Sequence, residues 1–106
     1  MASKQAELKE SDTIETACNF YMRTPKYQSL SYRSKKDYDY NLLRACKTKV
    51  QNDKQMGNIK LRDLRFKHAT VAYDWWLKTV GIRQANYMAT CLSIVLNTAI
   101  RHEALV

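Results

Sequence analysis

The sequence predicts an all-α domain, a compact bundle of four to five helices, and three observations carry that prediction. Only two glycines and one proline occur in 106 residues, too little turn punctuation for the many hairpins of an all-β fold. Hydrophobic residues make up 45 % of the chain, enough to build a core and well above the composition of a disordered tail. Three segments repeat apolar residues at i, i+3, i+4 and i+7 and a fourth carries an apolar stripe at i, i+4, i+7 and i+8, the period of an amphipathic helix. A chain of this length holds one core and therefore one domain.

Residues 1–11 are polar and aperiodic and read as a flexible leader to a folded unit over 12–106. Asp12 with Glu15 predicts a capping box, and Ile14, Ala17, Cys18 and Tyr21 share one face of a first helix reaching about Arg23. Pro25 disfavours helix at Thr24, so residues 25–30 read as a short connector. Ser29 or Ser31 caps a second helix to about Val50, with Tyr38, Leu42, Ala45 and Cys46 on its apolar stripe. Arg33, Lys36, Tyr40, Arg44 and Lys47 fall on the opposite face, so this helix is oily on one side and basic on the other.

The polar stretch 51–58, which holds Gly57, reads as a helix end and loop, and Ile59, Leu61 and Leu64 as a connector packed on the core without a sheet. Ala69, Ala72, Tyr73 and Trp76 predict a third helix from about Arg65 to Thr79, stopped by Gly81, with Trp75 off its stripe. A fourth helix, about Ile82 to Glu103, has the cleanest pattern: Ala85, Met88, Ala89, Leu92, Val95, Leu96, Ala99 and Ile100 share one broad face. It is expected to be the central core helix. Its other face carries Arg83, Asn86, Thr90, Ser93, Asn97 and Arg101.

No catalytic constellation can be assembled from these residues. A hydrolase or transferase needs a nucleophile beside a base, paired carboxylates or a metal cluster converging in a pocket. His68 and His102 are the only histidines, and each falls where a helix face exposes it. Two glycines leave no room for a phosphate-cradling loop. Cys18, Cys46 and Cys91 are odd in number and widely spaced, without the pairing of a zinc site or a disulfide framework, so no metal and no cofactor are expected and a reducing, cytoplasmic compartment fits. No apolar run is long enough to span a bilayer.

The formal charge is +8, which biases the partner towards a polyanion. Residues 1–30 are neutral in sum, while 31–56 carry +4 and 57–80 carry +3. The second helix opens with Tyr32-Arg33-Ser34-Lys35-Lys36, and cations there oppose the helix dipole at a cost of about 0.3–1 kcal/mol each, which favours a functional reason for them. The fourth opens with Arg83, Gln84, Asn86 and Tyr87, among which Arg, Gln and Asn are types that read base edges. If both helix starts point to one side, they form a two-helix clamp that grips phosphates. Tyr21, Tyr38 and Tyr73 lie on apolar stripes, whereas Tyr27, Tyr32, Tyr40 and Tyr87 remain candidates for contacting a nucleic-acid backbone.

Tyr27-Gln28-Ser29-Leu30-Ser31, followed by Ser34-Lys35-Lys36-Asp37-Tyr38, resembles the opening of the core-binding domain of phage integrases. Leu61-Arg62-Asp63-Leu64, then Ala85-Asn86-Tyr87, Leu92 and Asn97-Thr98-Ala99, are similar to later landmarks of that domain, so the resemblance spans about residues 12–106. It implies a SAM-like helical bundle from a tyrosine recombinase, one half of a clamp on double-stranded DNA at a core recombination site, working beside other recombinase protomers. Carried over position by position, it implies DNA contacts from Lys26, Arg33, Ser34, Lys35 and Lys36, and from Arg83, Asn86, Tyr87 and Thr90. Arg101-His102-Glu103 departs from the His-x-x-Arg element of the family's catalytic domain, so the chain reads as a non-enzymatic DNA-binding part of a recombinase. Lys47, Lys49 and Lys54 have no counterpart in the resemblance.

Two other function classes fit the same sequence. One is a helical protein-interaction module whose basic face meets an acidic partner, with Trp75 and Ile94 as anchors. The other is a stand-alone DNA-binding regulator, which needs a dimer to read a palindrome.

Overall fold

The computed structural model describes Lys9 and residues 11–51 and 53–101. Most of the expected leader, Asn52, His102 and the expected helix end at Glu103 lie outside these. The described residues form a mostly helical bundle: α1 (Ile14–Tyr21), α2 (Pro25–Gln28), α3 (Tyr32–Lys47), α4 (Phe66–Val80) and α5 (Ile82–Arg101). Between α3 and α4 lie a two-stranded antiparallel ribbon, β1 (Lys49–Gln51) with β2 (Lys54–Gln55), and two 3-10 turns at Met56–Asn58 and Leu61–Asp63.

α5 is the centre of the bundle and packs against α1, α3 and α4. Its buried face is Ala85, Met88, Cys91, Leu92, Val95 and Ala99. The expected face is shifted by a fraction of a turn, because Cys91 is buried on the side that meets α1 and α3 whereas Ile100 is 52 % exposed near the helix end. α4 and α5 form a helical hairpin closed by Gly81, whose φ of 88° and ψ of 167° are open to glycine alone without strain.

Several boundaries differ from the sequence expectation, each for a local reason. Thr13, not Asp12, caps α1: its Oγ1 accepts from the Thr16 N–H, while the Asp12 carboxylate accepts from the Lys9 N–H. Backbone bonds from Ile14 N–H to the Ile59 carbonyl and from Leu61 N–H to the Asp12 carbonyl hold this entry in extended form, pairing Thr13 with Lys60. α1 stops at Tyr21 because the Thr24 hydroxyl donates to the Tyr21 carbonyl and accepts from the Tyr27 N–H. That cap starts α2 with Pro25 in its first turn, so the expected connector is a one-turn helix.

Ser31 caps α3 by accepting from the Ser34 N–H. α3 ends at Lys47, before the expected Val50, because Thr48 turns extended and its hydroxyl donates to the Arg44 carbonyl, closing the last turn. Lys49, Val50 and Gln51 then alternate out, in, out as a strand, in place of the expected end of the helix and start of the loop. In α4 the buried positions are His68, Ala72 and Trp76, and Ala69 is exposed, so the stripe runs one residue earlier than expected at its start.

His68 is not a surface histidine. It is 3 % exposed, its Nδ1 accepts from the Arg65 N–H at 3.0 Å, and its Nε2 pairs with Gln51 Oε1 at 3.1 Å. A backbone N–H can only donate, so Nδ1 is the bare nitrogen and the proton sits on Nε2. The cysteines, far apart in sequence, are all buried as free thiols, and those of Cys18 and Cys46 approach to 3.7 Å between α1 and α3. Among the described residues every buried polar side-chain atom has a hydrogen-bond partner. No helix among them is long and apolar enough to cross a membrane.

Candidate nucleic-acid interface

The outer face of α3 is the most basic continuous surface that the sequence singles out. Arg33, Lys36, Tyr40, Arg44 and Lys47 fall within an arc of about 80° at 100° per residue, and the helix carries them over about 21 Å at 1.5 Å per residue. Arg33, Lys36 and Lys47 are exposed, as are Tyr32 at 76 % and Tyr40 at 56 %. Cations and aromatics are paired along it: Lys36 Nζ lies 5.4 Å from the Tyr32 ring centre, and the Arg44 guanidinium 5.3 Å from that of Tyr40 while donating to its hydroxyl. These contacts order long side chains before any ligand arrives, which lowers the entropy lost on binding. Asp37 borders the stripe on its α5 side, where its charge joins burial in holding the Cys91 thiol protonated up to about 11.

The remaining expected contacts are dispersed among other surroundings. Lys35 faces α2, with its Nζ 5.9 Å from the Tyr27 ring centre and 3.5 Å from Gln28 Oε1, and Lys26 is exposed on that same short helix. Ser34 is half-buried and serves the α3 cap, its Oγ accepting from the Ser31 hydroxyl. Tyr27, a candidate backbone contact, is instead buried: its hydroxyl donates to Asp39 Oδ1, and burial together with this carboxylate pushes its phenol up to about 12.

On α5, Arg83 and Thr90 are exposed, but their neighbours are engaged within the bundle. Asn86 Oδ1 accepts from the Tyr73 hydroxyl of α4. Gln84 donates to Asn41 of α3, whose own amide donates to the Asp37 carbonyl. Tyr87 packs edge-on against Tyr38 at 6.4 Å, the end of an aromatic chain that runs through Tyr21 to Tyr27. Asn86 Oδ1, the Gln84 amide and the Tyr87 ring are thus partly engaged within the bundle.

The α3–α5 crossing also decides the clamp geometry. From Tyr38–Tyr87 to Asn41–Gln84, α3 advances while α5 goes back, so the two chains run in opposing senses where they meet. The helix starts therefore do not point in the same direction. The basic face is the side of α3, not a pair of parallel helix ends.

Lys47, Lys49 and Lys54 have no counterpart in the family resemblance, and all three are exposed. Lys47 closes the α3 stripe, and Lys49 and Lys54 are exposed on the ribbon that follows it directly. The signal is present in the sequence: Lys47 is i+3 from Arg44, and Lys49-Val50-Gln51 has the two-residue period of a strand. Beside Lys47 opens a groove between α3 and α4 that also includes Arg44, Trp75 and Thr79. A separate apolar groove of about 340 Å³ separates α4 from α5, lined by Phe66, Ala69, Tyr73, Ala89, Leu92 and Leu96 among others. Among the described residues no three His, Cys, Asp or Glu side chains cluster as a metal site would need.

No family model, curated protein or solved structure matches the chain.

Proposed function

We propose that this chain is a double-stranded DNA-binding domain, and that it serves as the core-binding domain of a tyrosine recombinase in the cytoplasm of a bacterial cell. The single observation that carries the DNA-binding reading is the α3 face, where Arg33, Lys36, Arg44 and Lys47 run along about 21 Å with exposed Tyr40 among them and exposed Tyr32 at their start. A B-DNA major groove about 12 Å wide admits a helix, and cations on such a helix reach the flanking phosphates. The order of the short motifs from Tyr27 to Ala99 supports the recombinase reading. In that role the chain grips DNA, while other protomers and a catalytic domain supply assembly and chemistry. A parent reading frame that runs on into His-x-x-Arg and a late tyrosine is the expected context.

Titration of a labelled duplex at two salt concentrations tests the reading. Neutralised phosphates release counterions, so affinity is expected to fall steeply as salt rises. Absence of binding at the lower salt overturns it.

One observation favours a second reading, a helical protein-interaction module. Phe66 is 87 % exposed at the mouth of the apolar α4–α5 groove, a large hydrophobic surface for an isolated domain to leave in water. Capture of a defined partner that survives nuclease treatment and is lost on Phe66→Ser supports that module.

A further inference from the structure

The groove beside Lys47 has the chemistry of a nucleotide site. Trp75 forms one wall and is 56 % exposed, although Trp is a costly residue to leave in water. Trp76 and Met88 give the groove an apolar floor, and Arg44 and Lys47 give it a cationic rim. The cavity is about 280 Å³, at the small end of ligand clefts. No carboxylate lines it, and neither Arg44 nor Lys47 is ion-paired with a described residue.

The two tryptophans differ in what they do. Trp76 is 4 % exposed and its indole N–H is spent on Thr48 Oγ1 at 2.7 Å, so it belongs to the core. Trp75 has no such bond, and Thr79, one turn on, donates its hydroxyl to the Trp75 carbonyl, which leaves the hydroxyl oxygen free to accept. An aromatic face, two cations without a carboxylate partner among the described residues and an acceptor around one cleft match a base, its phosphates and an exocyclic N–H. A base within an intact duplex is stacked on both faces and cannot enter such a cleft. An unpaired base can, and aromatic stacking of this kind tolerates any base because every base has a π-face.

We infer that the Trp75 groove binds an unpaired nucleotide of a DNA strand, stacking the base on Trp75 with Arg44 and Lys47 on its phosphates. The inference rests on the DNA-binding reading and adds a preference to it: duplex that carries a single-stranded tail is the better ligand.

The test compares a blunt duplex, the same duplex with a ten-nucleotide thymidine tail, and the isolated thymidine strand, read by fluorescence anisotropy and by tryptophan emission. Trp75 dominates quenching by solvent-borne ligands because Trp76 is buried. The tail is expected to tighten binding about five-fold or more, the lower end of what a stacked base contributes, and to quench the emission. Trp75→Ala is expected to abolish that advantage and the quenching while leaving affinity for the blunt duplex unchanged, and Trp75→Phe to keep part of both. Circular dichroism of each variant confirms the fold. Equal affinity for blunt and tailed duplex, or an advantage that survives Trp75→Ala, overturns the inference and leaves the duplex reading standing. Quenching by the thymidine strand without any duplex binding overturns the duplex reading and keeps the groove. No binding of any of the three overturns both.

Discussion

The indole N–H of Trp76 donates to the hydroxyl of Thr48 at 2.7 Å across 28 residues of chain, joining the middle of α4 to the last turn of α3. Both groups are buried, and the same hydroxyl donates to the Arg44 carbonyl. One threonine thus closes the basic helix, turns the chain into the ribbon and holds the floor of the groove. Thr48→Val keeps the shape but strands a buried N–H, which costs about 1–3 kcal/mol. Denaturant unfolding is expected to show a lower midpoint with an unchanged slope, since the surface exposed on unfolding is the same.

The two glycines are irreplaceable for different reasons. At Gly57 an added Cβ would sit 2.8 Å from the Cβ of Cys46 and 3.1 Å from its carbonyl oxygen, groups that cannot swing away. Gly57→Ala is expected to lose about 1–3 kcal/mol by overpacking. At Gly81 nothing lies within 4 Å, and the cost comes from the φ of 88°. Gly81→Ala is expected to lose a similar amount, about 1–3 kcal/mol, through backbone strain alone. A second change separates the mechanisms: Cys46→Ala leaves the Cβ clash in place, whereas Gly81→Asn is expected to lose about as much as Gly81→Ala, because Asn tolerates the left-handed helical region and not the extended ψ of 167° found here. Thermal unfolding reads all four.

His68 makes stability depend on pH in a defined direction. Burial, with the charges of Lys67, Arg65 and Lys54, holds its imidazole below the ordinary value of 6.5. In the unfolded chain the ring takes up a proton at about pH 6.5, so below that pH the unfolded state binds more protons and gains on the folded one. Stability is therefore fully present above about pH 6.5 and is expected to fall as pH drops from there towards the lowered folded value. His68→Gln is expected to flatten this part of the profile, at a cost in stability that no longer changes with pH in that range. Denaturation midpoints between about pH 5 and 8 check both.

Charge reversal on α3 separates the interface from the fold. Arg33 and Lys36 are exposed, and Lys36 lies against the ring of Tyr32, which is itself exposed. The double change to glutamate is expected to leave the unfolding midpoint unchanged or somewhat higher, because acids at the start of α3 favour its dipole, while weakening duplex binding at least about ten-fold. For every phosphate that is no longer neutralised, the slope of log affinity against log salt flattens by about 0.9. Lys47→Glu is expected to act in the same direction.

Helix existence is legible in the sequence because burial repeats at the helical period: Ile14, Ala17, Cys18 and Tyr21 in α1, and Ala85, Met88, Leu92, Val95 and Ala99 in α5, are buried as their spacing predicts. Helix ends are less legible because they depend on which hydroxyl wins a backbone partner. Thr13, Thr24 and Thr48 each decide a boundary, and all three look like ordinary polar residues in sequence. The basic face of α3 can be drawn from spacing alone, whereas the engagement of Asn86 by Tyr73 and of Gln84 by Asn41 cannot, since each bond joins two different helices.

Composition and spacing are enough to establish the helical class and the face of α3 on which the charge lies, because each depends on the residue inventory or on neighbours within one helix. Three features came only with the folded arrangement: the opposing senses of α3 and α5 at their crossing, the buried and singly protonated His68, and the groove that Trp75 shares with Arg44 and Lys47. Range separates the two groups. Periodicity is a property of residues a few positions apart, while a crossing angle, a buried imidazole and a groove arise from contacts between segments that the chain brings together only when it folds.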